Sequence, residues 1–418
     1  MRVTTAFNRL LGLEGISVLD VTFVGGTSVR VDVALRRRRL VCPLCSFSTR
    51  ARYDTREMGS TWRHLDFGRW QVSVRAGLRR LDCPEHGVRV ESVPFARPRS
   101  GFSRDFEDLV AYLATKTDKT TITRLCRVDW DTVGRICERV VADGLDADRL
   151  DGLVNIGVDE VSWRRHHHYL TLVADHDTKK IVWGAPGKDT ATLDAFFDDL
   201  GPDRAAGIEA VSMDMGAAFN KSVRAEGHAP QAVICIDPFH AVGSSPTPWT
   251  WCDAPPGTNC VSYRTRTRPS GSRAPAGHCS NGPRISPGTS PRPCVSCAAA
   301  AATSGGAYSL KEAFRAIFAG DLDTEDAATL LERWCSKASR SRLPSFVRVA
   351  KTIRKHREGI LAAIRLGVNN ARAEGLNNHV RLITRRAYGF HSAQAAIALV
   401  MLTCGPITLQ SPHELHLH

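Results

Sequence analysis

A chain of 418 residues, 43% of them hydrophobic, has enough apolar material to fill the cores of about two to four domains, which excludes a disordered tail protein. Its 56 Lys and Arg against 43 Asp and Glu leave a formal charge of +13, which favours a polyanionic partner, nucleic acid first. Thirteen cysteines in a chain this long read as metal ligands or reduced core residues rather than as a disulfide framework.

The chain opens Met-Arg-Val-Thr-Thr-Ala-Phe-Asn, without the charged start and apolar core of an export signal. Its longest apolar run, Ala395 to Leu402, falls far short of the roughly 20 residues that span a bilayer. The expectation is a cytoplasmic, nucleoid-associated protein with no membrane partner.

Apolar and polar residues alternate through Ser17 to Ala34, the period of strands, so residues 1–100 are expected to form a β-rich module. Within it, Cys42-Pro-Leu-Cys45 is echoed by Cys83-Pro-Glu-His86. Each is a pair of ligands two residues apart at a knuckle-like turn, and two such pairs can close a tetrahedral zinc site. From Phe106 to Leu145 the period becomes helical and three helices fit, giving a domain over 101–150. A short helix, a brief turn and a second helix starting near Asp129 match a helix-turn-helix reader. Arg135 and Arg139 would then face DNA, with Trp130 and Val133 packed inward; a plain helical bundle is the alternative.

From Leu153 the pattern turns α/β, and the first part of this region is taken as 151–242. Strands are expected at Val154–Asp159, His168–Asp175, Lys180–Gly184, Ala210–Asp214 and Ala232–Asp237, with helices over Ala191–Leu200 and Ala217–Arg224. Three meandering strands followed by helix, strand, helix and strand match a ribonuclease H-like core, whereas a doubly wound sheet would alternate from its start. In such a core the first and fourth strands are neighbours, so Asp159 and Asp214 would converge; Asp237 competes with Asp214 as second acid. Phosphodiester transfer uses two divalent ions about 4 Å apart, and hard ions take carboxylate oxygens.

Between 243 and 306 the chain changes character. Ten of the 21 prolines and five of the 13 cysteines fall there, and no helical or strand period survives. Disordered linkers are rich in Pro, Ser and Gly but poor in Cys and Trp. Two sharp edges around an alien composition are what translation in a wrong reading frame, entered and later restored, would produce. A true linker and a metal-binding cysteine cluster are the alternatives.

Order returns at Tyr308–Phe318, an amphipathic helix, and the last domain is taken as 307–418. Its most informative stretch is Asn370-Ala-Arg-Ala-Glu374-Gly-Leu-Asn-Asn378, followed by Arg381, Arg385 and Arg386-Ala-Tyr-Gly389. Glu374 and Asn378 lie one helical turn apart, and Arg381 and Arg385 continue near that face. A carboxylate for metal followed by basic groups for phosphates suits phosphodiester chemistry.

This string resembles the C-terminal signature of insertion-sequence transposases of the ISL-three type. The resemblance extends to Gly157-Val-Asp159-Glu160, Ser212-Met-Asp214-Met, Asp237-Pro-Phe-His240, the two knuckles and the helix-turn-helix, and so to nearly the whole chain outside 243–306. It implies a multidomain α+β protein: an N-terminal zinc ribbon, a helix-turn-helix domain, and a ribonuclease H-like catalytic core interrupted by a mostly helical insertion, which the Pro and Cys stretch disrupts here. It further implies that Asp159, Asp214 and Glu374 are the catalytic acids, with Mg2+ or Mn2+ as cofactor beside structural zinc. Terminal inverted repeats and target DNA are the implied partners, bound by a homo-oligomer. A zinc and helix-turn-helix regulator without catalysis, and a ribonuclease H-like nuclease without strand joining, are the competing functions.

Overall fold

A computed structural model of the chain describes residues 2–164, 168–236, 295–319, 322–368, 370–387, 389–409 and 411. The chain divides into two compact units, 1–234 with 369–418, and 235–368.

The first unit begins with helix α1 (Val3–Leu11), which packs on strand β1. Strands β1 (Ile16–Val24) and β2 (Ser28–Leu35) form the hairpin expected from their alternation, in register from Ile16↔Leu35 to Val24↔Ser28. Strands β3 (Leu40–Val41) and β4 (Ser48–Thr49) make a two-residue ladder, and β5 (Asp54–Thr55) follows. The four-stranded sheet runs β1-β2-β7-β6, with β6 (Ser60–Arg63) and β7 (Gln71–Ala76). Period-2 patterning puts Val29, Val31 and Val33 beside Val72, Val74 and Ala76 in its core. Strands β8 (Arg79–Cys83) and β9 (Gly87–Val90) complete a second sheet, β5-β8-β9.

Three helices follow: α2 (Arg104–Lys116), α3 (Lys119–Cys126) and α4 (Trp130–Gly144). Ser103 caps α2 by accepting from the Phe106 amide, and Asp118 caps α3 through Thr121. Arg127, left-handed at φ 53°, ends α3 and turns the chain into α4. Val110, Ile122, Val133, Ile136 and Val140 form the shared core.

The α/β region comprises β10 (Asn155–Arg164), β11 (His168–Asp175), β12 (Lys180–Pro186), α5 (Thr190–Leu200), α6 (Pro202–Ala205), β13 (Ala210–Met213), α7 (Ala217–Val223) and β14 (Val233–Ile236). Sheet order is β12-β11-β10-β13-β14; the first three strands meander antiparallel, and β13 lies parallel to β10. The adjacency of first and fourth strands is the one expected from the sequence.

The second unit is helical: α8 (Val295–Ala319), α9 (Thr324–Arg340), α10 (Pro344–Lys355) and α11 (Arg357–Leu366). The apolar face of Tyr308–Phe318 has a partner here. Phe314 packs on Trp334 at 4.7 Å, and the Trp334 indole donates to the Leu310 carbonyl at 2.7 Å. One expectation is corrected: residues 295–306, taken as part of the patternless stretch, lie within α8. The last proline of that stretch is Pro293, and the alanine run 298–302 that follows is the strongest helix-forming composition available. The rest of 243–306 lies outside the described residues.

The chain then returns to the first unit as α12 (Asn370–Arg386) and α13 (Ala393–Cys404). Helix α13 packs on α4, α2 and β12, and its residues Ala396, Leu399, Val400 and Leu402 are buried. The longest apolar run is thus a core helix, and among the described residues no helix is long and apolar enough to cross a membrane.

Candidate functional site

The two knuckles meet. Cys42 and Cys45 come from the β3–β4 turn, and Cys83 and His86 from the β8–β9 turn. Their ligand atoms all lie within 4.8 Å of one another. Cys45 Sγ is 3.7 Å from Cys83 Sγ, and His86 Nδ1 is 3.6 Å from Cys83 Sγ and 3.8 Å from Cys42 Sγ. Tetrahedral zinc, with bonds of about 2.3 Å to sulfur and 2.0–2.1 Å to nitrogen, separates its ligands by roughly 3.6–3.8 Å. The donor set and its spacing therefore fit zinc. The local need is also evident: Leu40, Cys42, Leu81 and Cys83 are the buried members of a very small cluster, too little to hold two short ladders.

At the sheet, the parallel ladder of β10 and β13 ends at Gly157↔Ser212; Asp159 follows two residues on within β10, and Asp214 two residues on, just past the end of β13. Such strands lie about 4.8 Å apart, within reach of one shared ion. Asp159 accepts the Glu160 amide at 2.7 Å, and Asp214 the Met215 amide at 2.5 Å. Burial, and then the charges of Asp214 and Asp159, raise the pKa of the half-buried Glu160 carboxyl, with Lys188 opposing them. Negative charge is concentrated here, which is the setting a divalent cation relieves. Below the acids, buried His176 Nε2 and Ser212 Oγ lie 2.7 Å apart. A Cβ at Gly157 would sit 2.9 Å from that histidine nitrogen, so the Gly157-Val-Asp159 segment needs its glycine for close approach.

Glu374 lies in α12, and α12 packs against β10, the strand that carries Asp159. Val380 and Ile383 anchor the helix in the core, while Asn378, Arg381 and Arg385 are exposed. Asp237, the competing second acid, lies outside the described residues.

In the helical domain Arg135 is exposed, bonded only locally to Thr132 Oγ1 at 2.9 Å. Arg139 is placed differently from the expectation. Its guanidinium donates to Glu107 at 2.6 Å, and Glu107 is fully buried, so this charge is used inside the fold. Trp130 also departs from expectation: it stands at the start of α4, 39% exposed, with the Lys119 amine 5.2 Å from its ring. Val133 is buried as expected.

The sequence reading missed a junction between these three helices and the end of α12. Arg386 donates to the carbonyls of Thr115 and Lys116, Lys119 donates to Gly389 and covers the Phe390 ring at 4.8 Å, and Ser392 bonds Glu138 at 3.0 Å. Gly134, inside α4, is where a Cβ would collide with His391. These contacts join residues some 270 apart in sequence, so no local pattern announces them.

Comparison with known proteins gives the same order of parts. Residues 156–244 and 296–400 match a family of the ISL3 DDE type described as "Transposase". Residues 91–141 match the "Helix-turn-helix domain of transposase family ISL3". The chain is 38% identical, over 96% of both chains, to the transposase for insertion sequence element IS1557 of Mycobacterium tuberculosis, in strains CDC 1551 / Oshkosh and H37Rv. It is 23% identical to the transposase for IS1001 of Bordetella parapertussis, over 88% of this chain and 90% of that one. The domain match breaks off at 244 and resumes at 296, and all ten prolines of the anomalous stretch fall in the gap. With a relative this similar along nearly its whole length, the chain belongs to the ISL3 family of transposases.

Proposed function

We propose that this transposase cuts and joins the ends of its insertion sequence at one site formed by Asp159, Asp214 and Glu374, in a core of ribonuclease H-like type. The observation that supports the reading is the β10–β13 register, from whose last pair, Gly157↔Ser212, Asp159 and Asp214 each follow by two residues, together with the packing of Glu374's helix on β10. Asp159, Asp214 and Glu374 would hold Mg2+ or Mn2+, which would supply Lewis acidity for phosphodiester transfer. The chain's own residues hold and orient the reactants. Exposed Arg381 and Arg385 offer donors to phosphate oxygens along α12, and a fixed site lets first a water and then the freed 3′ hydroxyl meet a phosphorus in line.

Arg135 on α4 would read the terminal inverted repeat in the major groove, with the zinc module beside it. Pairing of two ends calls for a homo-oligomer on DNA, acting in the cytoplasm on the nucleoid. The stretch 245–295, narrower than the 243–306 expected from the sequence, reads as an out-of-frame replacement of part of the helical insertion, a reading supported by the break in the family match over the same residues. The test uses a chain whose frame is restored across that stretch, incubated with terminal-repeat duplex and Mn2+. Joined products identify a transposase, cut ends alone a nuclease, and binding without cutting a regulator.

A further inference from the structure

We infer that arginines at the base of the β3–β4 hairpin form a clamp for the phosphates of duplex DNA, separate from the base-reading helix α4. The inference rests on the proposed reading of the N-terminal half as the DNA-binding part, and it names the chemistry that the zinc module contributes.

Residues 36–56 carry seven arginines and a single acid, Asp54. The antiparallel ladder pairs Leu40 with Thr49, so one step outward Arg39 and Arg50 stand across from each other, flanked by Arg38 and Arg52. All four are exposed. Arg39 bonds the hydroxyl and carbonyl of Ser48, and Arg52 the hydroxyl of Thr55, while Arg38 and Arg50 have no hydrogen-bond or ion-pair partner among the described residues.

Elsewhere the module treats its arginines otherwise. Arg79 is bidentate to buried Glu91, Arg63 pairs with Asp66, Arg80 with Asp54 and Arg30 with Asp32. No carboxylate pairs with Arg38, Arg39 or Arg50 among the described residues, and Asp54, bonded to Arg80, is the one acid whose charge reaches Arg52. Four guanidiniums held this close with so little opposing charge repel one another, a cost that a polyanion removes. A planar guanidinium matches phosphate oxygens in a two-pronged fashion. The zinc ligands Cys42 and Cys45 close the opposite end of the same hairpin, so the metal fixes the spacing of the four charges.

The consequence is a sequence-independent term. Each phosphate contact contributes about 0.9 to the slope of log K against log salt for duplex DNA. The experiment measures binding of the full chain, with its zinc, to a terminal-repeat duplex and to a scrambled duplex of equal length across a salt series. Replacing Arg38, Arg39, Arg50 and Arg52 by Ala should lower the slope by about 3–4 on both duplexes, leaving their affinity ratio unchanged. Lysine at the four positions should restore most of the slope. Should the alanine variant lose zinc, Arg38→Gln and Arg50→Gln singly carry the test, each lowering the slope by about 0.9.

An unchanged slope, or a loss confined to the terminal-repeat duplex, overturns the clamp. Absence of any DNA binding by the unaltered chain instead overturns the reading on which it rests.

Discussion

At the residue scale the account depends on single side chains whose surroundings fix their chemistry. His64 is one of them: buried, with its Nδ1 2.8 Å from Ser103 Oγ, where burial lowers its pKa to about 4. Unfolded, the ring takes its proton near pH 6.5. The unfolded chain therefore binds more protons between those values, and stability is fully present above pH ~6.5 and lost as pH falls toward ~4, by on the order of 3 kcal/mol. Denaturant melts of the native protein and of His64→Gln across pH 4–7 should differ in slope, with the native protein losing more stability on acidification. Equal pH dependence would show that His64 is already solvated. The zinc ligands give a second test. One zinc should be bound per chain, and Cys42→Ser should release it and unfold the β3–β4 and β8–β9 ladders, because their few buried side chains cannot hold them without metal. A folded module free of zinc by metal analysis would contradict this.

Among single residues, the meeting of Cys42, Cys45, Cys83 and His86 was legible because two knuckles with fixed spacing are a local pattern; Asp159 and Asp214 were read as strand ends, whereas β10 continues past Asp159 to Arg164 and Asp214 stands one residue beyond β13. Arg139 was not legible. Its position on the helix suited DNA, and only the fold reveals that it neutralises Glu107.

At the scale of elements, that difference predicts a division of labour within α4. Glu107 is fully buried and also meets Arg97 at 3.4 Å and Ser100 at 2.7 Å, so Arg139→Ala weakens a buried network and should cost about 2–4 kcal/mol of stability. Arg135→Ala should leave the melting temperature in place and weaken terminal-repeat binding about 5–100-fold, the loss expected from one base contact of about 1–3 kcal/mol. Calorimetry beside a binding titration checks both; the reverse pattern would exchange the roles of the two arginines.

The elements themselves were mostly legible. Alternation gave the β1–β2 hairpin, and the change to a helical period from Phe106 gave the three helices. Helix α8 was not, since glycines and prolines near its start mask an alanine run whose propensity decides the matter. The tethering of α12 to α2–α4 through Arg386, Lys119 and Ser392 is invisible in any window, because its partners are brought together only by the fold.

For the whole molecule, the anomalous stretch is where this chain departs from the family match. Prolines remove backbone donors and cost about 3 kcal/mol each inside helices, so ten of them between 246 and 293 are a composition at odds with the helical insertion that the family resemblance implies. The helices that follow pack Phe314 on Trp334 and Trp334 on Phe346. Shifting the codons between about 245 and 295 by one or two bases should uncover an amphipathic, Lys- and Arg-rich helical sequence of similar length. Stop codons or patternless sequence in both alternative frames would make the stretch a genuine loop.

The central claim, that one acidic site performs the DNA chemistry, is tested most directly by cleavage of a terminal-repeat duplex in Mg2+ or Mn2+. The frame-restored protein serves as parent for Asp159→Asn, Asp214→Asn and Glu374→Gln. Each substitution removes one carboxylate charge at nearly constant shape, so each should lower cleavage by at least about 1,000-fold, or roughly 4 kcal/mol of barrier, while leaving duplex binding within about twofold. Full cleavage by Asp214→Asn with loss in Asp237→Asn would move the second acid to Asp237. Full cleavage by Asp159→Asn or Glu374→Gln would contradict the site itself.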